Sequence, residues 1–299
     1  MDRGRLFQNG EKMIEIKQGK KYLITGGSGF LGIPLCIELL SRGAEVRVLA
    51  RDEGKLIALK QKLPAVEIIS GDVSDEFEVR QAMYGMSGVF HLAASKHVGL
   101  AEILVRENIK TNTIGSLHIF EQSLKNKIDF VICVSTDKAA QVSGVYGATK
   151  MLMERLSHQY EKINPECQYR VVRYGNVLYS TGSVLCKWKE LIECDKTVII
   201  TDPTATRFFW TVDQAIQLIF DCLNDAEDST PYCPSMKSMK MGDLLDAMIQ
   251  KYSASDSCGP DIKTIGLQPG ENKHERILEN GPSSAETEHF TIEEIKKLI

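Results

Sequence analysis

Sixteen residues, Ser135 to Lys150, read STDKAAQVSGVYGATK and hold a hydroxyl (Thr136), a carboxyl (Asp137), an amine (Lys138), a phenol (Tyr146) and a second amine (Lys150). The apolar run FVICVS precedes this stretch and a helical pattern, MLMERLSHQY, follows it. That order places the groups at the carboxyl end of a strand, where open α/β sheets bind their ligands. Tyr146 and Lys150 are one helical turn apart and can face the same pocket. An ammonium beside a phenol lowers its pKa, so Tyr146 could act as a base near neutrality. In isolation, Asp137 and Lys138 would read as a surface ion pair of little energetic weight. Next to Thr136, Tyr146 and Lys150 they read as an acid–base pair, with burial displacing both toward neutrality.

Such groups need a sheet to hold them and a cofactor to work against. KYLIT, a β-rich run, is followed at once by GGSGFLG and then by FLGIPLCIELLSRG, which ends on Gly43. A strand, a glycine loop and a helix in that order are the setting a dinucleotide fingerprint requires. Gly26 allows the tight turn, Gly29 lets backbone approach a pyrophosphate, and Gly32 brings helix and strand together. Ser28, Phe30 and Leu31 complete the loop, and the helix N-terminus offers N–H groups to phosphate. After a second strand, EVRVLA, Arg51 comes first and Asp52 is one residue late. An arginine suits the extra phosphate of NADP and a carboxylate the ribose hydroxyls of NAD, so NADP is the expected cofactor, with NAD as the alternative. Asp72 and Val73 follow a third strand and could flank an adenine ring. GVFHLAAS reads as a fourth strand whose Ala93 and Ala94 admit the cofactor closely; Lys96 and His97 then open the crossover, and Lys96, Tyr146 and Lys150 are also expected to bind the cofactor.

A long helix is expected over IKTNTIGSLHIFEQS, with Asn112 either solvated or bound to active-site backbone. His91 and His118 read as packing or surface residues. Strand–helix alternation over the first part of the chain predicts a Rossmann-type, doubly wound parallel sheet. A smaller C-terminal substrate-binding lobe should follow, partly interleaved with it. The expected divisions are an extension over 1–20, the NADP-binding domain over 21–176 and the lobe over 177–299. YRVVRYGNVL supplies a strand with Arg173, Tyr174 and Asn176 at or beyond its end. TATRFFWTVDQAIQLIFDCL reads as a turn carrying Arg207 into a helix.

The chain has 299 residues, 43% of them hydrophobic, a net charge of −4 and a pI near 5.9. No basic excess points to nucleic acid, and no apolar run approaches membrane-spanning length. The polar, acid-containing opening does not resemble a signal peptide. The eight cysteines form no CxxC pair and no metal-ligand spacing, so no metal and a reduced, cytoplasmic setting are expected.

TGGSGFLG, Tyr146-x-x-x-Lys150 and RYGNVL together resemble the extended short-chain dehydrogenase/reductase family. HLAASKHV, ENIKTNTIGS, STDKAA, VYGATK, RYGNVL, TRFFWT, PSMKSMKMGDL and PGENKHE narrow the resemblance to UDP-N-acetylglucosamine 4,6-dehydratases. Those enzymes serve bacterial polysaccharide and nonulosonic-acid biosynthesis. STDKAA discriminates best: relatives acting on dTDP-glucose usually carry an acid where Lys138 stands, and 4-epimerases usually lack the Asp-Lys pair. Gly99, Gln268 and Asn272 depart from the usual pattern, all on the presumed substrate side. Membrane-anchored relatives carry helices and another domain ahead of the fold, which this sequence does not show.

The resemblance implies a nucleotide-sugar substrate, UDP-N-acetylglucosamine first, and a homo-oligomer. Tyr146 would take the proton of the sugar's 4-hydroxyl, with Thr136 holding that oxygen and Lys150 supporting the phenol. A neutral Lys138 would remove the carbon 5 proton, and a protonated Asp137 would protonate the departing 6-hydroxyl. Hydride taken from carbon 4 would return to carbon 6, giving a 4-keto-6-deoxy product with either configuration at carbon 5. Lys96, His97, Asn176, Arg207 and Glu271 would bind substrate, Arg207 on the pyrophosphate and Glu271 on the ribose. The alternatives are a 4-epimerase, with Asp137 and Lys138 idle, and a non-catalytic NADP-binding regulatory protein.

Overall fold

A computed structural model describes residues 15–254 and 259–299. Most of the expected leading extension, and Cys258, lie outside the described residues. The first half of the chain alternates β1 (Lys21–Thr25), α1 (Gly32–Ser41), β2 (Glu45–Ala50), α2 (Glu53–Lys62), β3 (Glu67–Ser70), α3 (Glu76–Met83) and β4 (Gly88–His91). Two short helices, α4 (Val98–Ala101) and α5 (Val105–Asn108), then lead through a π-helical segment, Ile109–Ile114, into α6 (Gly115–Asn126). β5 (Phe130–Thr136), a 3₁₀ turn at Asp137–Ala139, α7 (Val145–Ile163) and β6 (Gln168–Tyr174) complete the large sheet.

That sheet has six parallel strands in the order β3-β2-β1-β4-β5-β6. Its central strands are apolar on both faces: Leu23 and Ile24 of β1, Val89 and Phe90 of β4, and Val131 and Ile132 of β5 are all fully buried. A strand covered by helices on both sides reads as a continuous apolar run for this reason. Strand order reverses between β1 and β4, so a crevice opens past their carboxyl ends. This is the doubly wound Rossmann-type sheet that the alternation predicts.

Beyond it come β7 (Asn176–Val177), α8 (Val184–Glu193), β8 (Val198–Ile200), β9 (Thr206–Trp210), α9 (Val212–Asp225), β10 (Ser238–Lys240), α10 (Met241–Tyr252), β11 (Ile262–Thr264) and α11 (Ile292–Leu298). Two small sheets result, β10-β9-β7 and β11-β8. Trp188, Ile192, Val198, Leu244 and Ile295 share a separate core under them. α9 departs from this lobe: Ala215, Ile219 and Phe220 pack with Tyr22, Leu35 and Phe90 of the large sheet's core. The chain therefore returns to the first layer after entering the lobe.

Three local expectations change. The fourth strand stops at His91, and the small residues after it run on as an irregular segment. Its Ala93 N–H donates to Thr25 Oγ1 at 3.1 Å. The long crossover helix is interrupted by the π-helical segment, which widens the turn where Asn112 sits. The turn expected over TATRFFW is confined to its start at Thr204, and Thr206–Trp210, with Arg207, is a buried strand ahead of α9.

Candidate active site

A cleft of about 1200 Å³ runs from the glycine loop across the carboxyl ends of β1, β4 and β5 to the lobe. It exceeds the roughly 300–1,000 Å³ of an ordinary small-molecule pocket and has room for two nucleotides end to end. Gly26, Ser28, Gly29, Phe30, Leu31 and Gly32 line one end, with Arg51, Asp72, Val73, Ala93 and Ala94 beside them. Thr136, Lys138, Tyr146 and Lys150 line its middle, and Lys96, His97, Asn176, Arg207 and Glu271 its far part. Of the residues picked from sequence, Asp137 alone is not part of the wall.

The loop fits a dinucleotide by its shape. Gly26 has φ +69°, which L side chains rarely adopt, and a Cβ there would lie 3.0 Å from the Ala93 backbone. A Cβ on Gly32 would lie 2.4 Å from Gly27 Cα, so helix and loop touch as the spacing requires. α1 has no capping side chain, and although Ile33 N donates to the Gly29 carbonyl at 3.2 Å and Pro34 has no N–H, the N-terminal end of the helix, Gly32, lines the cleft where a phosphate would meet it. At the end of β2, Asp52 is engaged as the N-cap of α2, accepting from Lys55 N at 3.0 Å. Arg51 stays exposed, 3.5 Å from Asp72.

The middle of the cleft is built by β5, the 3₁₀ turn and the first turns of α7. A Cβ on Gly147 would lie 2.3 Å from the Lys138 carbonyl oxygen, so this glycine lets α7 rest directly on the turn. Asn112 fastens the facing segment: its Oδ1 accepts from Ser95 N at 2.8 Å, and its Nδ2 donates to Ser95 O and Thr149 Oγ1, both at 3.0 Å. Of the two readings for Asn112, it is the backbone-binding one that the geometry matches. His91 is fully buried between Thr25 and Ser116. Burial, with the charge on Lys150, pulls its pKa down to about 3, so the ring is a neutral packing element. His118 reaches the Val73 carbonyl at 3.1 Å.

The two lysines behave differently from expectation. Lys150 Nζ donates to the Val134 carbonyl at 2.8 Å. Burial pulls its pKa down to about 8, against the partial support of Cys133 and Glu154. Lys138 Nζ lies 3.0 Å from Asp137 Oδ1 and 3.6 Å from Glu275 Oε1. Burial opposes its charge, but the two carboxylates outweigh burial and raise its pKa. Lys138 is therefore a cation here, not the neutral amine the elimination calls for, because two carboxylates face it. Burial raises the pKa of Tyr146, and the cation pulling it back is Lys138, helped by a hydrogen bond with Thr136. Asp137 is wholly buried behind the wall. Its Oδ1 accepts from Thr136 Oγ1 at 2.9 Å as well as from Lys138, and among the described residues its Oδ2 has no partner.

Sequence reasoning assigned no role to Glu275, which lines the cleft, is 1% exposed and lies 3.9 Å from Arg207 Nε. Arg207 itself is buried in β9, with Nη1 donating to the Thr206 and Lys273 carbonyls at 2.9 Å each. Glu271 is partly exposed and accepts from Gln268 N at 3.0 Å; Asn176 Nδ2 donates to Phe208 O at 3.4 Å. Arg173 is the penultimate residue of β6. It pairs with Glu154 at 2.6 Å and Glu279 at 2.8 Å, and donates to the Ile277 carbonyl at 2.7 Å. Ser135 Oγ also donates to Glu154, at 2.5 Å. One guanidinium thus joins α7, β6 and the segment that carries Glu275.

A family model described as polysaccharide biosynthesis protein matches residues 22–297. An inverting UDP-N-acetylglucosamine 4,6-dehydratase of Campylobacter jejuni is 32% identical over 92% of this chain and 80% of its own length. A UDP-glucose 4-epimerase of Rickettsia rickettsii is 30% identical over 87% of this chain and 77% of its own. Among solved structures, Pen from Bacillus thuringiensis superposes with a TM-score of 0.89 at 27% identity, covering 94% of this chain and 97% of that one.

Proposed function

The chain belongs to the polysaccharide biosynthesis protein family of extended short-chain dehydrogenase/reductases, and from that footing we propose that it is an NADP-dependent nucleotide-sugar 4,6-dehydratase acting on UDP-N-acetylglucosamine. The observation that carries the reading is the meeting of Thr136, Lys138, Tyr146 and Lys150 in one cleft that begins at the glycine loop. The likeness to the Campylobacter dehydratase supports the substrate and the reaction class.

A nicotinamide held by the glycine loop, Ala93 and Ala94 would supply the hydride acceptor and later the hydride donor. Tyr146 takes the proton of the 4-hydroxyl as carbon 4 is oxidised, and Thr136 holds the same oxygen. The 4-ketone acidifies carbon 5. Lys138, once neutral, removes the proton there, and the proton taken up by Tyr146 passes through the Thr136 hydroxyl to the Asp137 carboxylate, which delivers it to the departing 6-hydroxyl. Arg207 and Lys96 bind the pyrophosphate, while His97, Asn176 and Glu271 position sugar and ribose. Arg51, exposed and paired only at 3.5 Å with Asp72 while Asp52 caps α2, selects the 2′-phosphate of NADP. Replacing it, Arg51→Ala, should weaken NADP binding about tenfold and leave NAD binding unchanged, as titration calorimetry would report; equal losses for both would remove the NADP assignment.

The test of the activity is incubation with UDP-N-acetylglucosamine in heavy water, followed by NMR and mass spectrometry. Loss of one water, with deuterium at carbon 5, is the expected result, and the spectrum gives the configuration there. A 4-epimerase is the second reading, supported by the Rickettsia relative and by the seat of Asp137 behind the cleft wall. It gives a product of unchanged mass. Self-association is part of the same proposal, and sedimentation velocity showing only monomer would overturn that part. Among the described residues, no helix is long and apolar enough to cross a membrane.

A further inference from the structure

Glu275 is a carboxylate the proposed chemistry has not used, and its place is hard to explain as packing. It is buried at the cleft wall, its Oε1 faces Lys138 Nζ at 3.6 Å and Arg207 Nε at 3.9 Å, and its Oε2 accepts from Asn272 Nδ2 at 3.4 Å. A buried carboxylate costs several kcal/mol of desolvation unless it is well paired. These contacts are long for tight ion pairs, so Glu275 is loosely held and open to a proton. Asp137, on the other side of the ammonium, is more tightly engaged, accepting from both Lys138 and Thr136. Lys138 thus sits between a close carboxylate and a looser one.

Resting on the dehydratase reading, we propose that Glu275 is the proton acceptor that frees the Lys138 amine for work at carbon 5. Before elimination, an N–H bond of the Lys138 ammonium breaks and an O–H bond forms on Glu275, leaving a neutral amine and a neutral acid. The amine then takes the carbon 5 proton. When carbon 5 is reprotonated the amine is neutral again, and Glu275 returns its proton to it. No charge leaves the cluster and nothing is oxidised or reduced in the exchange. Glu275 acts through Lys138 and is a positioning residue rather than a catalytic one. The charged and titratable groups facing this pair are Asp137 from the 3₁₀ turn, Arg207 from β9 and Tyr146 from α7.

The proposal makes a distinctive demand on pH. With an internal acceptor, freeing the amine requires no proton to leave for solvent, so wild-type water loss, taken as a ratio to nicotinamide reduction at the same pH so that the titration of Lys150 near pH 8 cancels, should vary little between about pH 6 and pH 9. In Glu275→Gln, Asp137 is occupied by the proton it holds for the 6-hydroxyl, so the ammonium must lose its own to solvent. Water loss should then fall by about 100-fold near pH 7 and recover about tenfold per pH unit as pH rises. Oxidation at carbon 4, read as nicotinamide absorbance in a single turnover, should persist. Glu275→Asp should restore the flat profile at a reduced rate, and it also serves if the glutamine variant fails to fold. A Glu275→Gln profile parallel to wild type, whether lowered or not, would show a structural role only and overturn the proposal, as would an Asp variant with the tenfold slope. Wild-type protein that neither reduces its nicotinamide nor releases water would instead overturn the dehydratase reading itself.

Discussion

Lys138, mostly enclosed, and Lys150, fully buried, are amines at the carboxyl end of β5, yet the structure drives them in opposite directions. Lys150 is met by a backbone carbonyl and the Met153 sulfur, and burial lowers its pKa to about 8. Lys138 is met by Asp137 and Glu275, and its pKa rises. Burial alone does not decide the state of a titratable group; the charge of what it is buried against does. The α7 side of the cleft is thus built to hold an amine easily neutralised, and the 3₁₀-turn side to hold an ammonium with carboxylates on both sides. The redox half of the proposed reaction belongs to the first side and the elimination half to the second.

The largest expected effect separates the two halves. Lys138→Met should lower water loss by about 10³-fold, in the range of a lost general base, while nicotinamide reduction in a single turnover survives. Lys150→Met should lower both. If Lys138→Met suppressed reduction and elimination equally, the division between the two lysines would be wrong. The next effect concerns the strut behind both. Arg173→Met leaves Glu154 buried without its guanidinium and releases Ile277 and Glu279, so a loss of about 3 kcal/mol of stability is expected, read by urea unfolding. A loss below about 1 kcal/mol would mean that the segment carrying Glu275 is held by other contacts.

How far these sites were legible beforehand follows the same contrast. The glycine loop, the strand alternation and the Tyr146–Lys150 spacing are local signals, because each depends on one turn or one helix period. Their positions in the structure match. Glu275 gave no such signal. PGENKHE enters the sequence reading only as a segment of the family resemblance, with no role for its last residue, and only the packing of that loop under Arg207 and Lys138 buries it. Gly147 was likewise hidden inside a motif read for its tyrosine and lysine, although contact with the Lys138 carbonyl requires it. Arg173 did carry a usable sign, a charge within the apolar strand RVVRYG, since a buried guanidinium needs partners. Those partners, Glu154 and Glu279, lie 19 and 106 residues away, beyond what local pattern can reach. The expected neutral state of Lys138 failed for the same reason: the sequence shows Asp137 beside it but not the second carboxylate.

The smallest of these effects tests whether the Lys150 side is as free of charge as its contacts suggest. His91 borders that side, and burial together with Lys150 lowers its pKa from 6.5 to about 3. A histidine kept neutral in the fold takes up a proton on unfolding at any pH between those two values. The unfolded state then binds more protons, so stability is complete above pH 6.5 and falls as pH drops toward 3. Between pH 6.5 and about pH 5 the loss from this residue is about 2 kcal/mol. His91→Gln keeps hydrogen bonding available to Thr25 and Ser116 but cannot titrate. Its unfolding free energy should therefore depend less on pH over that window than the wild type's, whatever its value at neutrality. Equal slopes for the two proteins would mean that His91 is charged in the fold, and that the neighbourhood of Lys150 tolerates a second cation.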